Sequence, residues 1–327
     1  MVVTRFLAPV LLLGLASLMV AGPIPTGSVL VAVGSSQVKV FSPTGTLLQT
    51  LNDGSGTTYT TGMVFDGSGN LFVTNFDAGN ISKFDSNGNL VSSSFMTASN
   101  IPESILVNQA GNFLVGGPGA ATILQYSPSG GSPTSTYTVQ GGNGTGGTDW
   151  ADLEADQKTL LYDGEGTTIL SYNLATHTQN APFATGLPGS PSVYEFRILP
   201  TGSMAGDVLA ADSTAAILLS ATGAVIKTYT LPGNEGGDFA LNLDPDGVDF
   251  WTSDSVSGDV WEINIATGAI VQQWKSGDPG LTFGLVVDGQ ITAGGPPPTT
   301  SSPEPGSIAL LGFGLVGTAA VCRRAKK

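Results

Sequence analysis

A four-strand pattern recurs through most of this chain with a period close to 44 residues. In each copy an apolar segment ends at a turn, a second apolar segment follows, and two further segments complete the unit; the clearest copy begins at residue 62. The residues that close the first segment are spaced by 42, 48, 44, 44 and 44 positions. They are Asp66, Asn108, Asp156, Pro200, Asp244 and Asp288. Short strands at this period, joined by Asp-Gly and Asn-Gly turns, are typical of propeller blades.

The sixth copy breaks off after residues 291–293, and its missing strands are found at the other end of the chain. Segments 29–33, 38–41 and 47–51 match the second, third and fourth strands of a blade. Completing the last blade with these N-terminal strands closes the ring and leaves no open sheet edge. We therefore predict an all-β fold, a six-bladed β-propeller over residues 22–293.

Composition excludes several classes of function. The formal net charge is −14, and five of the 11 Lys and Arg residues lie in the terminal segments, so the body is still more acidic. Nucleic-acid binding needs a basic surface, which this body lacks. An acidic body permits cation binding, although solubility alone also accounts for it.

The two ends predict export. Residues 1–21 combine Arg5 with an apolar run and small residues before Pro23, the pattern of a cleaved signal peptide. At the other end, a Pro/Thr/Ser-rich linker (294–302) precedes an apolar stretch (306–321), which we predict to be a single transmembrane helix. A basic stop follows, formed by Arg323, Arg324, Lys326 and Lys327. This cluster predicts a cytoplasmic C-terminus and a body that faces outward.

The motif Pro303, Glu304 and Pro305, followed by the apolar stretch and the basic end, resembles the PEP-CTERM sorting tails of exported bacterial proteins. The resemblance covers residues 303–327. It implies a membrane-embedded exosortase as processing partner, with the motif as its substrate. It also implies inner-membrane anchoring before processing and then a cell-surface or extracellular location. Proteins with such tails often accompany exopolysaccharide, which makes extracellular polysaccharide a candidate partner.

Catalytic residues are scarce. His177 is the only histidine and is predicted to lie in an exposed turn, while the only cysteine, Cys322, is in the tail. No Ser-His-Asp triad, Cys-His pair or Cys/His zinc spacing can be assembled from these residues. A GxGxxG match at 312–317 lies within the apolar stretch, without the βαβ unit that a dinucleotide site requires.

Carboxylates are the candidate site residues of the body. Glu103, Asp152, Glu195 and Asp238 stand at the predicted starts of innermost strands, while the other two blades offer Gly62 and Gly284. Innermost strands begin at a mouth of the central channel, so we expect these four carboxylates to form one ring. Such a ring would suit Ca²⁺, which prefers six to eight oxygen ligands. A solvated acidic rim without metal is the alternative.

The body also resembles the six-bladed propellers that include NHL-repeat and gluconolactonase-like proteins, through its repeat pattern alone. The gluconolactonase-like resemblance implies one divalent metal at the channel mouth and hydrolysis by a carboxylate or a metal-bound water. The Asn ligands typical of that family are not evident here.

Three functions stay open from the sequence. The first is a binding or structural module of the cell surface or matrix; the second is a divalent-metal-dependent, lactonase-like hydrolase; the third is a partner of the export or polysaccharide machinery. We expect the first, and no enzymatic activity. The glycine-rich loop 141–147 leads into Trp150, which is a candidate for stacking on a sugar ring, with core packing as the alternative.

Overall fold

The protein is described from a computed structural model that covers residues 22–188 and 192–296. These residues form six β-sheets and one short 3₁₀ turn, Gly202–Met204. No helix among them is long and apolar enough to cross a membrane. The predicted signal peptide, sorting motif, transmembrane helix and basic stop lie outside the described residues.

Each sheet is one blade, and the first blade joins the two ends of the body. Blade 1 contains β1 (Val29–Gly34), β2 (Gln37–Phe41), β3 (Leu47–Asn52) and β25 (Gly284–Val287). Strand β25 is innermost and pairs antiparallel with β1, from Val29 opposite Val287 to Ala32 opposite Gly284. The predicted ring closure is therefore confirmed.

The other five blades follow in chain order. Blade 2 contains β4 (Thr60–Phe65), β5 (Leu71–Asn75), β6 (Asn80–Phe84) and β7 (Leu90–Thr97). Blade 3 contains β8 (Ser104–Val107), β9 (Phe113–Gly116), β10 (Thr122–Tyr126) and β11 (Ser135–Thr138). Blade 4 contains β12 (Ala151–Leu153), β13 (Thr159–Tyr162), β14 (Thr168–Asn173), β15 (Thr178–Gln179) and β16 (Ala184–Thr185). Blade 5 contains β17 (Phe196–Ile198), β18 (Val208–Asp212), β19 (Ala215–Leu219) and β20 (Val225–Tyr229). Blade 6 contains β21 (Asp238–Leu243), β22 (Asp249–Asp254), β23 (Asp259–Asn264) and β24 (Ile270–Lys275).

Burial changes from the channel to the rim, and the sequence pattern explains it. Strands such as β1, β5 and β18 are buried along their whole length and are mostly apolar. Outer strands such as β24 alternate between exposed and half-buried residues. The core therefore lies between neighbouring blades, where Trp251 and Trp261 are fully buried.

Turn chemistry accounts for the repeat. In blade 2, Asp66 Oδ1 accepts hydrogen bonds from the backbone N–H groups of Ser68 and Asn70, and Gly69 adopts φ +76°. The Asp244 segment is likewise a hairpin turn, as predicted, because Asp244 and Asp246 accept bonds from backbone N–H groups within it. His177 lies exposed in the turn between β14 and β15, also as predicted.

Two of the predicted turn residues need correction. In every blade the residue that closes the innermost strand donates its N–H to a carbonyl at or next to the start of the neighbouring strand, and in blades 4 and 5 this residue is Glu154 and Leu199. Asp156 and Pro200 stand two and one positions too late. Insertions in these two turns shifted the apparent repeat. The positions of the site residues, which are counted from these turn residues, shift with it.

Candidate functional site

Six equivalent residues, one from each blade, surround one end of the central channel. Each stands five positions before the residue that closes the innermost strand. They are Thr61, Glu103, Asp149, Tyr194, Phe239 and Phe283. We call this end of the channel the acidic mouth.

The acidic mouth opens into a cavity of about 310 Å³ with one aromatic wall. Tyr59 packs edge-on against Phe76 and Phe283, with ring centroids 6.4 and 5.4 Å apart. Phe283 packs in the same way against Phe239 at 5.6 Å, and Tyr194 lies 4.5 Å from Phe239. The aromatic rings thus form one continuous chain along this side of the mouth.

The facing wall carries three carboxylates. Oxygens of Glu103, Asp149 and Glu165 all lie within 4.8 Å of one another. Glu103 and Asp149 are buried and Glu165 is half-buried. Asp149 Oδ2 accepts a hydrogen bond of 2.6 Å from the Thr145 hydroxyl, but its Oδ1 has no hydrogen-bond partner among the described residues. Carboxylate oxygens are suitable ligands for a hard divalent cation.

Burial and mutual repulsion favour the protonated form of these acids. Burial, with the charges of Glu165 and Asp149, raises the pKa of Glu103 well above its ordinary value. Burial and the Asp149 charge raise the pKa of Glu165 to about 7. Burial also raises the pKa of Asp149, although the Thr145 hydrogen bond lowers it in part. Burial, together with repulsion at Glu103 and Glu165, therefore holds the pKa values of all three groups above their ordinary range, and a bound cation would oppose this shift.

Close backbone packing holds Glu165 over the mouth. The loop 141–147 packs on the turn that contains Gly164 and Glu165, and Thr145 N–H donates to the Gly164 carbonyl at 2.7 Å. A side chain at Gly144 would collide with the carbonyls of Gly164 and Glu165. Glu165 itself adopts φ +54°, a left-handed conformation that non-glycine residues rarely occupy. Glycines on both sides thus permit the approach that brings this carboxylate to the mouth.

The four predicted metal residues do not form one ring. Glu103 alone belongs to the carboxylate cluster, while Glu195 and Asp238 are one position out of register with the ring, and a one-residue slip turns a side chain to the opposite face. Glu195 accepts hydrogen bonds from Arg197 and from the backbone N–H of Leu241.

The other two of the four are also engaged within the propeller. Asp238 Oδ1 accepts a hydrogen bond from Thr252, and Asp152 accepts one from the backbone N–H of Ile198 in the next blade. Asp152 lines a second cavity, at the opposite end of the channel. Their carboxylates support the contacts between and within blades.

Trp150 is a core residue in this structure. Its side chain is 1% exposed and packs edge-on beneath Phe239, with ring centroids 5.6 Å apart. Its ring face is therefore closed to a ligand, and the aromatic faces at the mouth belong to Tyr59, Phe76, Phe239 and Phe283. The loop before it does reach the mouth, where Thr145 lines the cavity.

The opposite mouth is occupied by both ends of the body. Its cavity, of about 340 Å³, is lined by Ile24 and Thr26 and by Gly294 to Pro296, among others. The carbonyl of Gly294 accepts a hydrogen bond from the Gln157 amide, and Pro296 lies against Gly67. The chain therefore leaves the propeller at the end of the channel opposite the acidic mouth.

The C-terminal tail and the propeller each resemble known proteins. The family described as the PEP-CTERM protein-sorting motif matches residues 303–324. No curated protein matches the chain in sequence at a significant level. Many solved structures share its fold, among them the following three.

The first is a virginiamycin B lyase from Staphylococcus aureus, with a TM-score of 0.51 and 14% identity over 68% of this chain and 72% of that one. The second is a streptogramin B lyase, with a TM-score of 0.52 and 18% identity over 68% and 70%. The third is a chain of a nidogen/laminin complex, with a TM-score of 0.62 and 12% identity over 81% and 100%. At such identities the likeness concerns the fold alone.

The protein is therefore a six-bladed β-propeller that carries a PEP-CTERM sorting tail. Its tail implies export, processing by an exosortase-type enzyme at the membrane, and subsequent surface display.

Proposed function

We propose that this exported propeller is a saccharide-binding module of the cell surface or extracellular matrix, and that its ligand site is the acidic mouth. The observation that carries the proposal is the cavity of about 310 Å³ with its aromatic wall. This volume is at the lower end of the range of small-molecule pockets, roughly 300–1,000 Å³. It suits one or two sugar units at the end of a polysaccharide chain.

The aromatic wall supplies the means of recognition. The rings of Tyr59 and Phe283 border the cavity, and Tyr59 is 39% exposed. Aromatic rings with an open face pack against the C–H groups of a sugar ring, while the polar tip of a tyrosine stays hydrated. The tail adds support, because it delivers the propeller to the compartment where extracellular polysaccharide is found.

Co-sedimentation of the full chain with polysaccharide from the producing cells tests the proposal. We expect the double substitution Tyr59→Ala, Phe283→Ala to weaken the affinity by about tenfold, equivalent to about 1.4 kcal/mol of binding free energy. Val271→Ala, an exposed residue on the outer strand β24, is the control and should bind as the parent does. Equal binding by all three proteins would refute a saccharide site at this mouth.

A divalent-metal-dependent hydrolase of the lactonase type is the second candidate. The cluster of Glu103, Asp149 and Glu165 favours it, because three carboxylates at this spacing could hold Ca²⁺ and polarise a substrate oxygen. Melting of EDTA-treated protein with and without Ca²⁺ tests metal binding, since a ligand of the folded state raises its stability. A rise that disappears in Glu103→Gln, followed by hydrolysis of a lactone, would support the enzyme; no rise with Ca²⁺, Mg²⁺ or Mn²⁺ would eliminate it.

A further inference from the structure

The two walls of the acidic mouth have different chemical requirements. A neutral sugar could cover the aromatic wall, but it would bring no cationic partner for the three clustered acidic side chains. A bare metal ion would neutralise the carboxylates, but it would leave the rings of Tyr59, Phe239 and Phe283 uncovered. A ligand that satisfies both walls needs a ring face and a positive charge on one small molecule.

The unpaired oxygen of Asp149 indicates where a positively charged group of the ligand would bind. Asp149 is fully buried, and its Oδ1 lacks a hydrogen-bond partner among the described residues. An unpaired buried carboxylate oxygen costs free energy, which a donor from a ligand would recover. No Lys, Arg or His is among the residues that line the cavity. Any positive charge at this wall therefore has to come from the ligand.

We propose that the acidic mouth binds an amino sugar, with its protonated amine against Glu103, Asp149 and Glu165 and its ring against the aromatic wall. This inference rests on the proposed saccharide site and specifies its ligand class. An ammonium group has three N–H donors, one for each carboxylate of the cluster. Hydrogen bonds between charged partners are about twice as strong as neutral ones. The neighbouring aromatic faces add cation–π attraction.

Calorimetric titration of the detergent-solubilised full chain with three matched sugars tests the inference. Glucosamine carries the amine, glucose has a hydroxyl in its place, and N-acetylglucosamine has a neutral, bulkier amide. We expect glucosamine to bind at least about tenfold more tightly than the other two at pH 7.5 and low salt. Glu165→Gln should remove that difference.

Two controls keep folding and metal binding separate from ligand choice. Glu154→Gln alters a half-buried carboxylate in the turn at the other end of β12, so it should retain the preference for glucosamine. Melting curves of both Gln variants should match the parent within a few degrees. A separate titration with CaCl₂ tests the metal alone.

The outcomes are distinguishable. Equal binding of glucose and glucosamine, or a preference that persists in Glu165→Gln, would overturn the amino-sugar inference while the saccharide site stands. Tight Ca²⁺ binding that excludes glucosamine would overturn it in favour of a metal site. If the cell polysaccharide binds through Tyr59 and Phe283 but no glucosamine preference appears, the proposed function holds and this inference fails.

Discussion

Arg197 and Glu195 form a buried ion pair, with Arg197 Nη2 2.5 Å from Glu195 Oε1. Both side chains also reach the next blade: Arg197 Nε donates to the Asn242 side chain, and Glu195 Oε2 accepts from the backbone N–H of Leu241. The pair therefore connects the innermost strands of blades 5 and 6. Burial nevertheless raises the pKa of Glu195 to about 7, even though Arg197 opposes the shift.

Arg197→Met should destabilise the propeller by about 3–5 kcal/mol at pH 8, because it leaves Glu195 buried without a counter-charge. The deficit should shrink toward pH 5, where Glu195 takes up a proton. Urea unfolding at both pH values measures it. Lys275→Met is the control: that Lys is 62% exposed, its buried partner Asp259 keeps a hydrogen bond from the Ser257 hydroxyl, and the change should cost no more than about 1 kcal/mol. Equal losses in the two variants would contradict a structural role for the inner pair.

The stability that Asp212 contributes should be lost as the pH rises from about 4 to 8. Burial raises the pKa of Asp212 from 3.8 to about 7, so the folded state holds this proton more tightly than the unfolded state. The stability linked to it is complete below 3.8 and is lost as the pH rises through about 7. Asp212→Asn should therefore raise stability at pH 8, by on the order of 1 kcal/mol, and give no gain at pH 4.

Asp77 provides the opposite case for the same melting series. Hydrogen bonds from Thr57, Thr58 and Tyr59 outweigh desolvation and lower its pKa to about 2. Asp77→Asn should lower the melting temperature at pH 8, where the parent carboxylate is ionised and accepts these bonds. A gain in both Asn variants, or in neither, would show that carboxylate burial does not set the pH profile.

Closure of the ring should stabilise all six blades together. Leu30 on β1 is fully buried and lies opposite Val286 of β25 and Val40 of β2. Leu30→Ala should cost about 2–5 kcal/mol, as expected for a leucine truncated in a core. Leu48→Ala on the outer strand β3, where the side chain is 36% exposed, should cost less than about 0.5 kcal/mol. A single urea transition at lower denaturant would show one cooperative unit, whereas a second transition would contradict it.

Gly144 should be needed to position Glu165. Gly144→Ala places a methyl group against the carbonyls of Gly164 and Glu165, so the turn must move away and take the carboxylate with it. We expect glucosamine affinity to fall by about tenfold in calorimetry. Gly67→Ala is the matched control, because φ is not positive there and the nearest foreign atom would lie at an ordinary 3.8 Å. Unchanged affinity in Gly144→Ala would show that the loop contact is dispensable.

The fold could be predicted from the sequence because its signal is repeated. Each blade carries the same turn chemistry, and the fragment 29–51 at one end supplies the strands missing at the other. The site was harder to predict, because successive side chains of a strand point to opposite faces. An error of one position in the register therefore exchanges a channel-facing residue for a packing residue.

Of the two cluster carboxylates that were not predicted, Asp149 and Glu165, the first could have been found from the sequence. Counting back five residues from Glu154 gives Asp149, whereas Asp156 points to the wrong residue. Glu165 had no such signal. It lies in the turn between β13 and β14, and it reaches the mouth only because two glycine-rich segments pack backbone against backbone.

The position of the chain ends determines how the molecule is presented. Residues 294–296 leave the propeller beside Ile24, at the end of the channel that the acidic mouth does not share. The acidic mouth therefore lies at the end of the propeller that is farther from the start of the C-terminal linker. Removal of the sorting tail would change the location of the protein but not the acidic mouth. An anchored copy and a released copy should therefore bind ligand with the same affinity.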